Sequence, residues 1–302
     1  MRSALFAAAT LAAFSVFSSA SAQSGDDLAQ RARAFVDSVS LIETDATAAR
    51  WDGRICVGAV GLAPDQAQML IDRISARAQS VGLRPGEPGC RANVMVIYAP
   101  DSDTISRQIV EQRRDLLGVN PEEVTLGSAA LEDFANTPRP IRWWHISSLS
   151  TGTLRPDATQ AIQSAQGSGQ ARRAATGDLT GSTMSTAEDI QGMDAVRTDG
   201  SRSRSYERNE LSYALIVVDA RRVAGKPAGA WMDYVALVAL AQLDPYADTG
   251  AYPTVLNLFQ SDASGATGLT PWDEAFLQSL YRASGGGVRQ AADIARRMAR
   301  QL

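Results

Sequence analysis

The sequence predicts an α+β fold built on a mixed sheet, and three observations predict it. Two β-type runs, residues 54–60 (RICVGAV) and 93–98 (NVMVIY), flank an amphipathic stretch at 64–81. That is the pattern of a βαβ unit with parallel strands. Two further β-type runs, 142–147 and 211–218, bracket a long segment poor in large apolar residues, expected as a hairpin-like insertion. The stretch 230–243 is apolar nearly all round and is expected as a buried central helix. Together these imply one α+β domain over 51–302, preceded by an N-terminal helical region at 23–50 and interrupted by a flexible insertion at 149–208.

The elements follow in order. Met1 and Arg2 open a positive start, residues 5–17 are apolar, and Ala20-Ser21-Ala22 fits the small-x-small cleavage pattern. Residues 1–22 therefore read as a signal peptide cleaved after Ala22, with export to the periplasm or beyond the cell. The apolar run falls short of the about 20 residues a membrane span needs. Residues 26–39 form a helix with Leu28, Phe35 and Val39 on one side. In 64–81, Pro64 suits the first turn, Leu70, Ile74, Ala78 and Val81 share a stripe, and Gly82 suits the end. Helices are expected at 106–117, stopped near Gly118 and Asn120-Pro121, and at 128–135. Asp244-Pro245 is expected to end the central helix. Residues 254–259 form a short apolar turn or strand. Thr270 caps the next helix, with Pro271, Asp273 and Glu274 in its first turn and Phe276, Leu277 and Leu280 on its apolar side. After Gly285-Gly286-Gly287 a last helix is expected to turn Val288, Ala292, Ala295 and Leu302 inward.

Composition narrows the function. The formal net charge is −4, against the strong basic surplus of a general nucleic-acid binder. Cys56 and Cys90 are the only cysteines, and an even count in an exported chain favours a disulfide between them. The chain lacks Cys-x-x-Cys, a Gly-x-Ser-x-Gly elbow, a phosphate-binding loop and a dinucleotide fingerprint after a strand. No cofactor is indicated.

The segment from Trp231 to Tyr281 carries a resemblance. An apolar helix (WMDYVALVALAQL), a turn (PTVLNLF) and LTPWDEAFLQSLY together resemble the C-terminal half of metzincin-type zinc peptidases. An uncharacterised group of exported bacterial proteins shares the same outline. The resemblance implies a metzincin-like fold in degenerate form. It puts Val235, Ala236 and Ala239 where that family has its first His, its Glu and its second His, and Leu256 at the methionine turn. Leu269-Thr270, Asp273 and Leu280-Tyr281 match the helix that follows. Zinc hydrolysis needs imidazole or carboxylate ligands and a base, and aliphatic side chains supply neither. The resemblance thus implies a relative without metal or catalysis.

The candidate contact residues lie elsewhere. His145 is the single histidine. In a strand, Trp143 and His145 share one face and Trp144 takes the other. That shared face either lines a ligand groove, or belongs to the core with His145 hydrogen-bonded. Arg202, Arg204 and Arg208 lie close together at the end of the insertion. They read either as a contact for an acidic partner or anionic surface, or as a solvated strand edge. Two functions stand: an exported non-catalytic binding or envelope-assembly protein, and, as the alternative, a periplasmic hydrolase with an unrecognised site.

Overall fold

The computed structural model describes residues 17–42, 47–118, 123–151, 207–260, 267–284 and 287–302. Expectations placed at 152–206, Arg202 and Arg204 among them, lie outside the described residues. The elements are α1 (Phe17–Val39), β1 (Arg54–Ile55), β2 (Val57–Val60), α2 (Pro64–Ser80), β3 (Arg84–Pro85), β4 (Val94–Ala99), α3 (Ser102–Gln112), β5 (Glu123–Val124), α4 (Gly127–Asn136), β6 (Ile141–Thr151), β7 (Glu207–Asp219), α5 (Ala228–Leu240), α6 (Pro271–Arg282) and α7 (Gly287–Ala299). Single 3-10 turns occupy Arg114–Leu116 and Val255–Phe259.

The fold is α+β, as expected. A mixed sheet runs in the order β2-β4-β7-β6, with two-residue β5 at its edge, and β1 and β3 form a small parallel pair. β2, β4 and β7 are parallel; β6 runs antiparallel to β7. Strand alternation then sorts side chains between two cores. Val94, Val96, Trp143, Ala214, Ile216 and Val218 face α1, α2, α5, α6 and α7. Ile97, Ala99, Trp144, Leu215 and Val217 face α3 and α4.

Several boundaries differ from the sequence reading, each for a local reason. The single strand expected at 54–60 divides at Cys56. The Cys56 carbonyl accepts both Asn93 N–H and Val94 N–H, whereas the Ile55 carbonyl accepts Gly86 N–H on the opposite edge. β1 therefore pairs with β3 while β2 pairs with β4. α3 starts four residues earlier than expected because the Asp101 carboxylate caps it, accepting Thr104 N–H at 3.1 Å. It stops at Gln112, and the turn after it folds Leu116 and Leu117 into the second core. α5 ends at Leu240, not Leu243: Ala241 is already extended, and Leu243 bridges to Ser40. α7 buries Ala291, Ile294, Ala295 and Met298, whose spacing makes one stripe. Val288 and Leu302, expected inward, are 58% and 41% exposed. The capping box of α6 is complete: Thr270 accepts Asp273 N–H and Asp273 accepts Thr270 N–H.

The insertion contracts at both ends. β6 and β7 pair continuously outward to Thr151 opposite Glu207, with one irregularity at Ile146/Ser147. The base of this hairpin is held from both sides. β5 pairs with Ser147 and Ser148, while Arg50 bridges to Glu210 and Asn209 bonds the Thr47 hydroxyl and carbonyl. The chain thus leaves the sheet and re-enters it at one paired position.

The expected disulfide is present. Cys56 and Cys90 are bonded with their Cα atoms 6.0 Å apart, at a sequence separation of 34. On the chain-entropy model a loop of this size contributes about 4 kcal/mol. Gly86 lies against it, where a Cβ would sit 2.4 Å from Cys90 Sγ.

Two outcomes test this architecture. Replacing 152–206 with a two-residue Asn-Gly turn should leave the Tm within about 5 °C, since β6 and β7 already pair out to Thr151 opposite Glu207. Replacing both cysteines with serine should lower stability by about 3–4 kcal/mol in denaturant titrations.

Candidate functional site

The resemblance directs attention to the end of α5, and its chemistry is set by burial. Every residue from Ala230 to Leu240 is buried. Val235, Ala236 and Ala239 are completely enclosed. A helix leaves its last four carbonyls without intrahelical donors, and here water does not reach them. Each finds a donor in the protein. Ala241 N–H donates to the Leu237 carbonyl at 3.1 Å. His145 Nε2–H donates to Val238 at 2.8 Å, Trp51 Nε1–H to Ala239 at 2.8 Å, and the Tyr281 hydroxyl to Leu240 at 2.7 Å. Trp143 Nε1–H adds a bond to the Leu243 carbonyl at 3.1 Å.

Trp143 and His145 do share a face, as strand geometry requires, but that face is interior. They are 8% and 2% exposed, and the groove that one reading gave them is occupied by α5. They read the end of a helix. The bond to a carbonyl assigns the His145 proton to Nε2. Burial holds the imidazole down at about pKa 4, although the bond to Val238 favours the charged form. Trp144 lies on the other face and donates to the Leu117 carbonyl at 3.0 Å.

The acidic residues nearby are also consumed by architecture. Asp273, fully buried, accepts Val255 N–H and Thr270 N–H, both at 2.9 Å, and the Thr254 hydroxyl. Burial raises its pKa against those bonds. It therefore ties the turn carrying Leu256 to the start of α6. Asp233, also buried, accepts Arg73 Nη1–H at 2.8 Å and Leu269 N–H at 3.1 Å, with Arg77 Nε at 3.8 Å. Gly268 lets the chain pass: a Cβ there would sit 2.5 Å from the Asp233 carboxylate. Among the described residues no group of three or more His, Cys, Asp or Glu side chains could hold a metal. Two surface clefts, of about 80 and 70 Å³, lie between α1 and α7 and between α2 and α6, and neither is lined by α5.

One charged cluster escaped the sequence reading. It lies where β4 and β7 end and β6 begins. Arg222 grips Asp103 with two bonds of 2.9 and 2.7 Å, and also donates to Asp219 at 2.7 Å. Buried Arg142 donates to Asp103 and to the Thr137 carbonyl. The Ser102 hydroxyl donates to Asp219 at 2.8 Å. Arg222, followed by Arg142, draws the Asp103 carboxyl down to about pKa 2 against its partial burial. Two arginines and two aspartates balance here, and the cluster fastens α3, β6 and the turn after β7. The available sequence signal was an acidic residue closing a buried strand, Asp219, followed by Arg221-Arg222. Arg208 pairs through its backbone with Ser150 in the hairpin.

No protein-family model, curated protein or solved structure matches the chain.

The buried imidazole has a measurable consequence. Its folded pKa lies below the ordinary 6.5, so the unfolded chain takes up the proton first as pH falls. Stability contributed by His145 is therefore intact above pH 6.5 and declines as pH falls from 6.5 toward 4. The loss between pH 7 and 4.5 should reach about 2–3 kcal/mol. Denaturant unfolding at both pH values should show that increment in the natural protein and lack it in His145→Gln.

Proposed function

We propose that this is an exported, non-catalytic binding or envelope-assembly protein on a degenerate peptidase-like scaffold. The observation that carries the reading is the packing of α5. Aliphatic side chains with no exposure stand at the three positions where the peptidase resemblance requires ligands and a base. The polar groups around them are engaged in holding the helix end. A hydrolytic site needs an open coordination position or a nucleophile with a base in reach. The interior here supplies aliphatic packing and saturated carbonyls instead.

Export is supported by the signal-like start and by the disulfide, which suits an oxidising compartment. No helix among the described residues is long and apolar enough to cross a membrane. The contact itself is assigned to the chain between Thr151 and Glu207, including Arg202 and Arg204. Its composition offers little apolar surface for a core of its own, and the sheet delivers both its ends from one paired position.

Purified mature protein should carry no stoichiometric zinc and should not cleave peptides or cell-wall fragments. Zinc that disappears in His145→Ala, or turnover of either substrate, would replace this reading with the hydrolase. In cells, a photo-crosslinking residue at position 204 should yield a discrete envelope adduct that one at exposed Arg107 does not. Absence of that adduct would remove the contact from the insertion.

A further inference from the structure

The chain is acidic overall, yet its last helix is not. Residues 287–302 hold four arginines, Arg289, Arg296, Arg297 and Arg300, against one acidic residue, Asp293. At about 100° per residue, Arg289, Arg296 and Arg300 fall within about 40° of one another around the helix axis. They form a solvent-facing row about 16 Å long at a rise of about 1.5 Å per residue. The opposite stripe, Ala291, Ile294, Ala295 and Met298, is packed into the protein, so the row cannot rotate away from solvent.

The helix dipole accounts for only part of this row. Arginines in a last turn are favoured by the partial negative charge there, which covers Arg296, Arg297 and Arg300, and Asp293 also pairs with Arg296 and Arg297. Arg289 stands in the first turn, where the dipole disfavours a cation. Arg33 of α1 comes to the same end, donating to the Val288 carbonyl at 3.3 Å while paired with Asp37 at 2.7 Å. Beside that end stands Val288, 58% exposed, and beyond the other end stands Leu302, 41% exposed. These are two of the four large hydrophobic side chains that are exposed among the described residues. α1 alongside carries Arg31 and Arg33 against Asp26, Asp27 and Asp37, so the positive surplus belongs to α7.

We infer that the exposed face of α7 is a docking surface for an anionic phospholipid bilayer. The arginine row contacts headgroup phosphates, and Val288, about 100° round the helix from Arg289, lies at the flank of the contact. A basic helix face with apolar flanks adsorbs in this way, through charge plus a small buried apolar area. An overall charge of −4 makes the contact directional, because the remainder of the surface is repelled by the same bilayer. The inference stands independently of the contact assigned to the insertion.

Co-sedimentation of the mature protein at low ionic strength tests it, using vesicles of phosphatidylcholine with and without phosphatidylglycerol. The natural protein should partition onto the phosphatidylglycerol vesicles alone. Each arginine near such a surface contributes about five-fold, so the combined variant R289Q/R296Q/R300Q should lose roughly 100-fold. The variant R84Q/R107Q/R221Q carries the same charge change on other exposed surfaces and should bind much more nearly like the natural protein. The chain lacking 152–206 should also bind, since that segment holds six arginines and six acidic residues and its removal leaves net charge unchanged. Circular dichroism melting confirms that each variant is folded. No binding by the natural protein, equal losses in both arginine variants, or loss confined to the excised chain would each overturn the inference.

Discussion

The termination of α5 is the constraint around which the molecule is organised. A helix buried on every side still has to satisfy its final carbonyls, and an unsatisfied buried carbonyl costs about 1–3 kcal/mol. The donors come from separate parts of the chain: Trp51 before the first strand, His145 on β6 and Tyr281 at the end of α6. Each is a ring with one polar atom, so the side chain that supplies the hydrogen bond also fills core volume. The end of one helix thereby fastens the N-terminal segment, the sheet and the C-terminal helices to each other.

The buried acids obey the same rule. Asp273, Asp233 and Asp219 each draw donors from more than one element. A charge in a low-dielectric interior is tolerated only with such partners, and removing one partner costs more than the pair contributes. In composition these carboxylates look like material for acid–base chemistry. In place they face inward, toward Thr254, Arg73, Ser102 and the backbone around them, and the one Asp233 oxygen without a hydrogen bond is buried 3.8 Å from Arg77 Nε.

Much of the fold was legible along the chain. The βαβ unit, the pairing of strands around a hairpin-like insertion, the Thr270 cap and the wholly apolar α5 all follow from periodicity and capping, which are local properties. The misreadings have a common form. The 54–60 run looks continuous, yet Cys56 and Ile55 send their carbonyls to opposite edges, and only the partner strands decide that. α7 has an apolar residue at 288 and another at 302, but the helix can present only one stripe to α1 and α6. The site was less legible still. Trp143 and His145 were correctly placed on one face, but alternation does not say whether a face meets solvent or another helix. Arg142 and Asp219 gave little sign of acting together, because 39 residues of sequence separate Arg142 from Asp103 and 117 separate Ser102 from Asp219.

By itself the sequence determined the α+β class, the spacing of the elements, the pairing of its two cysteines and the aliphatic character of Val235, Ala236 and Ala239 on the central helix. Those are properties of residue type and short-range period. Only the tertiary structure decided what the polar residues do. A donor or a carboxylate takes its role from what lies within about 3 Å of it, and in this molecule those neighbours arrive from distant parts of the chain.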